Sequence, residues 1–227
     1  MRPAAVLFDA GNTLLFLDYE RLAAGVGAAL GVPLSASRLR DVAPAAALAM
    51  ERREFRTDRD RGSAFLLELF DRAGVDAGLR EPLRSALLAL HREQHLWSGV
   101  DQRTPAALAR LRDAGIRLGV ISNSDGRAAE ALEACGLLPY LEAVVDSALV
   151  GVEKPDPRIF LAGLQRMGLQ ANETMYVGDL YEVDVLGARA AGLHPVLLDP
   201  NGLHADLDVR RAPDVAALVD DLLRDAP

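Results

Sequence analysis

The sequence predicts an α/β protein: a parallel sheet with helices on both faces, and a helical segment inserted after the first strand. Three observations carry this. Short continuous apolar runs recur along the chain, amphipathic helical spacing recurs between them, and about 100 residues after the first run show helical spacing without a convincing strand.

Residues 4–8, Ala-Ala-Val-Leu-Phe, form the first run; Asp9 and Gly11 end it, so it reads as a buried strand emptying into a loop. Helical spacing then covers 19–30, 36–56, 63–73 and 82–97. A break after Thr13 and a return near Gly99 set this segment apart as a lid, with its two connections as hinges. Beyond it, 104–114, 127–135, 157–167 and 182–191 read as helices, and 117–121, 143–146, 174–177 and 195–198 as strands. Strands alternating with helices require crossovers, and ligands then collect beyond the carboxyl ends of the strands. The expected domains are a Rossmann-like core, residues 1–16 with 98–227, and a helical cap, residues 17–97.

With 227 residues, 50% hydrophobic and 26% charged, the chain can bury a substantial core, which excludes a disordered class. No apolar run approaches the roughly 18 residues of a membrane span, and Asp9 interrupts the N-terminus before a signal-peptide core could form. A soluble, cytoplasmic protein with no membrane partner is expected. Cys135, the single cysteine, can form neither an internal disulfide nor a thiolate metal site by itself. Residues 17–97 balance twelve arginines against twelve acidic residues, so the remainder carries the whole formal charge of -8, and nucleic acid is not an expected partner. Among 25 basic residues Lys154 alone is lysine, which marks a position where a compact ammonium is needed.

A doubly wound sheet gathers the polar residues at its strand ends into one crevice. Those residues are Asp9-Ala10-Gly11-Asn12-Thr13 after the first strand, Ser122-Asn123-Ser124 after the second, Gly151-Val152-Glu153-Lys154-Pro155 after the third, and Gly178-Asp179 with Asp184 after the fourth. Carboxylates, a hydroxyl and an ammonium converge there. Oxygen ligands of this kind suit Mg²⁺, which takes one or two carboxylates, retained waters and a substrate phosphate.

In order and identity these motifs, Phe8-Asp9-Ala10-Gly11-Asn12-Thr13-Leu14, Ile121-Ser122-Asn123, Val152-Glu153-Lys154-Pro155-Asp156-Pro157 and Val177-Gly178-Asp179 through Asp184, resemble the haloacid dehalogenase superfamily of hydrolases. The resemblance is to the branch with a helical cap between the first and second motifs. It implies that Asp9 is the nucleophile that takes up a phosphoryl group, and that Asp9, Asp179 and the carbonyl of Gly11 hold Mg²⁺. Asp184 is implied as a ligand or an outer support. Ser122, Asn123 and nearby main-chain N–H groups would bind the phosphoryl oxygens, and Lys154 would neutralise Asp9 and the transferring group. The implied activity is a Mg²⁺-dependent phosphatase acting on a small phosphorylated metabolite, as a monomer or homodimer.

Gly11 departs from the pattern. Most phosphatases of that superfamily carry a second aspartate there, which protonates the leaving oxygen and later activates water; such acid–base help is worth roughly 10² to 10⁴ in rate. Dehalogenases of the superfamily also lack it, so a 2-haloacid dehalogenase-like hydrolase is one competing reading, and a catalytically impaired phosphate-binding or regulatory protein is another. Asp179 and Asp184 preserve the acidic pattern of the metal-dependent members and favour phosphoryl chemistry.

Weaker signals read as structure. Arg52, Arg53, Arg56, Arg59 and Arg61 are interleaved with Glu51, Glu54, Asp58 and Asp60, as on a solvated helix face. His91 and His95 stand four apart, but residue 92 is Arg, so no zinc-protease motif is present and an exposed helix face is expected. Phe65 and Trp97 are expected in the core of the cap.

Overall fold

The computed structural model of the protein describes residues 2–50 and 57–224. The chain divides into two compact units, Met1–Phe16 with Gly99–Pro227 and Leu17–Ser98. In chain order the elements are β1 (Ala5–Phe8), β2 (Phe16–Leu17), α1 (Tyr19–Leu30), α2 (Ala36–Ala47), α3 (Asp58–Ala73), α4 (Arg80–Glu93) and β3 (Trp97–Gly99). There follow α5 (Thr104–Asp113), β4 (Arg117–Ser122), α6 (Ala128–Ala134), β5 (Ala143–Asp146), α7 (Ser147–Val150) and α8 (Pro157–Met167). Last come β6 (Thr174–Gly178), α9 (Leu186–Ala190), β7 (His194–Leu198), β8 (Arg210–Ala212) and α10 (Val215–Leu223).

The first unit is a six-stranded sheet in the order β5-β4-β1-β6-β7-β8, parallel at every pairing. From β1 the chain builds outward through β4 and β5, then returns to the other side of β1 as β6. Strand order therefore reverses at β1, the topological switch point where ligands of open α/β sheets bind. Phe8 is in register with Val120 of β4 and Val177 of β6, so the residues following each lie side by side at one sheet edge. Both faces of β1 and β6 are buried, which is why these strands read as continuous apolar runs rather than alternating ones.

One face of the sheet packs on α8. Leu7, Ile121, Val145 and Tyr176 from four strands meet Ile159, Phe160, Leu164 and Met167 there. Asp156 starts α8 by accepting the backbone N–H of Arg158, Pro157 occupies the first turn, and Gly168 at φ 63° ends it in the left-handed region.

The second unit is helical. Asp18 caps α1 by accepting from Arg21 N at 3.0 Å, and the Arg21 guanidinium donates to the carbonyls of Leu90, Gln94 and His95, which satisfies the end of α4. Leu22, Val26, Leu39, Phe65, Leu69, Phe70 and Leu83 are buried here.

Several expectations need correction. The helix expected over 36–56 ends at Ala47, and 51–56 lie outside the described residues. The helix expected over 82–97 ends at Glu93, and Trp97 enters β3 because Gln94 turns extended. The segment expected as helix 182–191 opens as a π-turn over Tyr181–Val185 before α9. No apolar run announced β8, whose sequence is Arg-Arg-Ala. Among the described residues no helix is long and apolar enough to cross a membrane.

Candidate active site

Asp9 continues β1: its N–H donates to Val177 O at 2.7 Å, so the sheet ladder holds the backbone that presents the carboxylate. The next residues fold back tightly. Leu14 N and Leu15 N both donate to Ala10 O, and Asn12 N donates to Leu15 O. Asn12 takes φ 54°, a left-handed conformation that asparagine tolerates better than most side chains, and its side chain donates a hydrogen bond to Asp179. Gly11 bridges to Leu15 within this turn.

Lys154 reaches the same point from the loop before α8. Its ammonium donates to Asp9 Oδ1 at 2.5 Å, to Asp184 Oδ1 at 2.8 Å and to the Tyr176 hydroxyl at 3.0 Å. Its backbone is clasped from both sides by one side chain: Lys154 N donates to Asn123 Oδ1 at 2.7 Å, and Asn123 Nδ2 donates to Lys154 O at 3.0 Å. The motif after β4 therefore fixes the loop that delivers the lysine.

Asp179 and Asp184 come from the segment after β6. Asp184 N donates to Leu180 O at 2.8 Å, and Leu180 N donates back to Asp184 Oδ2 at 2.9 Å, so the π-turn closes on its own carboxylate. π-Turns concentrate at functional sites because the extra residue re-aims a side chain. Gly178 makes room: a Cβ there would stand 2.3 Å from Asp184 Cγ. One carboxylate oxygen from each of Asp9, Asp179 and Asp184 lies within 4.8 Å of the others.

Three carboxylates around one ammonium leave the site short of positive charge. Burial pushes the Asp9 carboxyl up to about 7 against the pull of Lys154, and the charge of Asp184 adds to the rise. Burial, with the charges of Asp184 and Asp9, also holds Asp179 well above the usual carboxylate range. Burial alone would lower the Lys154 ammonium, but Asp184 and Asp9 outweigh it and keep the group protonated well above its ordinary range. A hard divalent cation fits this donor set, since it would supply the missing charge to oxygen ligands.

The other candidates fall as follows. Ser122 ends β4 and is buried; its hydroxyl reaches the carbonyl of Asn123 at 3.4 Å. Asn123, expected to bind substrate, spends its amide on the backbone of Lys154. Sequence reading missed Tyr176, Gly178 and the tie from Asn12. Tyr176 had a signal, the one side chain with a polar tip in the apolar centre of its strand. Asp146, buried at the end of β5, accepts from the N–H groups of Gly126, Ala128 and Ala148, and so pins the chain that follows Ser124.

In the second unit, His95 lies beyond the end of α4, half-buried with its ring centroid 4.8 Å from that of His91, so the pair is not an exposed helix face. Phe65 is buried as expected, whereas Trp97 is only half-buried, with the two ring centroids 6.5 Å apart. Arg61 donates to Met50 O, whereas Glu51, Arg52, Arg53, Glu54 and Arg56 lie outside the described residues.

The family model for haloacid dehalogenase-like hydrolases matches residues 3–192. The chain belongs to this family. Among the relatives of this haloacid dehalogenase-like hydrolase, the mouse "Haloacid dehalogenase-like hydrolase domain-containing protein 3" is 34% identical over 143 residues, 63% of this chain and 57% of that protein. A glyceraldehyde 3-phosphate phosphatase of Methanopyrus kandleri is 31% identical over 150 residues, 65% of this chain and 63% of that protein. The alignments thus span less than two thirds of either relative. In structure, a HAD phosphatase from Thermococcus onnurineus superposes with a TM-score of 0.60 at 25% identity, covering 98% of both chains.

Proposed function

We propose that this hydrolase is a Mg²⁺-dependent phosphatase that cleaves a small phosphorylated metabolite through an aspartyl phosphate on Asp9. One observation carries the reading: Asp9 sits at the switch point of the sheet, in contact with the only lysine and within 4.8 Å of two further carboxylates. Phosphatase-named relatives support it.

In the first displacement an Asp9 oxygen attacks phosphorus; the bond to the leaving oxygen breaks, and that oxygen departs with the electron pair and takes up a proton. In the second, water attacks the same phosphorus, loses a proton, and releases inorganic phosphate and the Asp9 carboxylate. Splitting hydrolysis this way asks the protein for position and charge neutralisation. Lys154 supplies part of that charge and keeps Asp9 aimed. Asp9, Asp179, Asp184 and the Gly11 carbonyl would hold Mg²⁺, which when bound offsets the negative charge of the phosphoryl oxygens. Ser122 and the main-chain N–H groups beyond β4 would receive those oxygens, and residues 17–97 would act as a cap that selects substrate. No nucleic-acid or membrane partner is needed.

Position 11 carries no acid, and the three Lys154 protons are committed to Asp9, Asp184 and Tyr176. Leaving groups that need little protonation, aryl and acyl phosphates, should therefore turn over faster than alkyl phosphates.

The test is phosphate release from a panel of phosphorylated metabolites and aryl phosphates, with Mg²⁺ and with chelator, alongside Asp9→Asn. Release that needs both the metal and Asp9 is expected. Halide release from 2-haloacids without metal, or phosphate binding without turnover, would replace this reading.

A further inference from the structure

Lys154 donates to the hydroxyl of Tyr176, a residue to which the proposed chemistry gives no role. An ammonium has three protons. Here each has one acceptor: Asp9 Oδ1, Asp184 Oδ1 and the Tyr176 hydroxyl. The hydroxyl has a proton of its own, within reach of Ile121 O at 3.1 Å and Asp184 Oδ1 at 3.2 Å.

The ring is held as firmly as the hydroxyl. Tyr176 is fully buried and packs edge-on against Phe160 with centroids 4.9 Å apart. It stands in register with Leu7 of β1, which in turn is in register with Gly119 of β4. From β6, the phenol therefore crosses β1 and ends at the carbonyl of Ile121 on the far neighbour. Its oxygen joins the strand ahead of Ser122, the π-turn carboxylate and the lysine.

We infer that Tyr176 is a positioning residue for the hydrolytic site: its hydroxyl fixes the direction of the Lys154 ammonium, so that one N–H faces Asp9 while another stays on Asp184. The inference rests on Asp9 being the reacting group. Its physical basis is the nature of lysine. A compact charge on a four-carbon stem has no built-in direction, and two carboxylates alone leave it free to turn toward either. A third acceptor on a rigid ring removes that freedom and leaves no buried N–H unpaired.

Tyr176→Phe keeps the ring and removes the oxygen. Lys154 is the only lysine, so ¹⁵N-lysine labelling yields a single side-chain ammonium resonance. In the wild type this resonance should be protected from solvent exchange, and in Tyr176→Phe the exchange rate should rise about tenfold or more. The kcat for an aryl phosphate should fall about tenfold or more with KM within about twofold, since the loss is in aim and not in substrate binding. Leu164→Ala, in the same core, should lower the melting temperature and leave both readouts unchanged.

Three results would overturn the role: a wild-type ammonium without protection, a Tyr176→Phe protein with wild-type exchange and kcat, or equal losses in Leu164→Ala. If the wild type turns over no phosphate ester, the hydrolytic reading fails by itself. The exchange measurement then decides whether the hydroxyl holds the ammonium.

Discussion

Gly178 and Asp184 form the tightest steric pair in the site. The glycine is needed for space: any side chain would begin 2.3 Å from the Asp184 carboxyl carbon. Gly178→Ala must push the π-turn carboxylate off Lys154 and Leu180 N, because the strand beneath is paired on both sides and cannot yield. A stability loss of roughly 1–3 kcal/mol is expected from overpacking. The proposed phosphatase activity should fall by more than about tenfold, since reacting groups tolerate little misplacement. Denaturant midpoints and steady-state rates on one preparation measure both; wild-type activity in the alanine variant would contradict the geometry. Asn123 supports the opposite side of the lysine. Asn123→Asp can still accept from Lys154 N but cannot donate to Lys154 O, and it sets a negative charge against that carbonyl. Activity should drop further in Asn123→Asp than in Asn123→Ala, whereas a residue that only touched substrate phosphate would show no dependence on Lys154. A double-mutant cycle with Lys154→Ala measures that coupling.

At the scale of elements, legibility followed how each element is stabilised. β1, β4, β5, β6 and β7 were legible because strands buried on both faces must be apolar runs. β8 was not: an edge strand of Arg-Arg-Ala is held by pairing with β7, and two of its three side chains face solvent. The π-turn over Tyr181–Val185 carries helix-like spacing, and only the closure of Asp184 on Leu180 distinguishes it. The ends of β1, β4 and β6 were legible as polar residues after apolar runs, which located Asp9, Ser122 and Asp179. Partner choice was not, because nothing in the spacing says that Asn123 turns to the Lys154 backbone or that Tyr176 reaches across β1. Asp146 illustrates the same limit at the end of β5. It reads as the last residue of a strand, yet it satisfies three backbone N–H groups from the chain after β4 and the start of α7. Asp146→Ala removes the acceptor of all three and leaves the buried Ala128 N–H without its partner, which should cost roughly 1–3 kcal/mol while loosening the segment after Asn123. Faster amide exchange at Gly126 and Ala128, with exchange at the far end of β6 unchanged, is the expected result.

For the whole molecule the decisive fact is that the three carboxylates and the lysine belong to one unit, residues 1–16 and 99–227, while Leu17–Ser98 has a core of its own. Cation binding should therefore stabilise the first unit by mass action without requiring the second. A ligand held only by the folded state adds about 2.7 kcal/mol at a hundredfold excess over its dissociation constant. Adding Mg²⁺ to chelator-treated protein should raise the melting temperature of the wild type. It should do nothing comparable for Asp179→Asn, which keeps the shape of the side chain and removes the charge. Leu69→Ala, which empties a buried position in the second unit, should destabilise that unit by roughly 2–5 kcal/mol. Its Mg²⁺ affinity by titration calorimetry should stay within about twofold of wild type, because Asp9, Asp179 and Asp184 all belong to the first unit. A shared loss of affinity in Leu69→Ala would mean that the helical unit supplies part of the cation site, and the assignment of that site to Asp9, Asp179 and Asp184 would have to be redrawn.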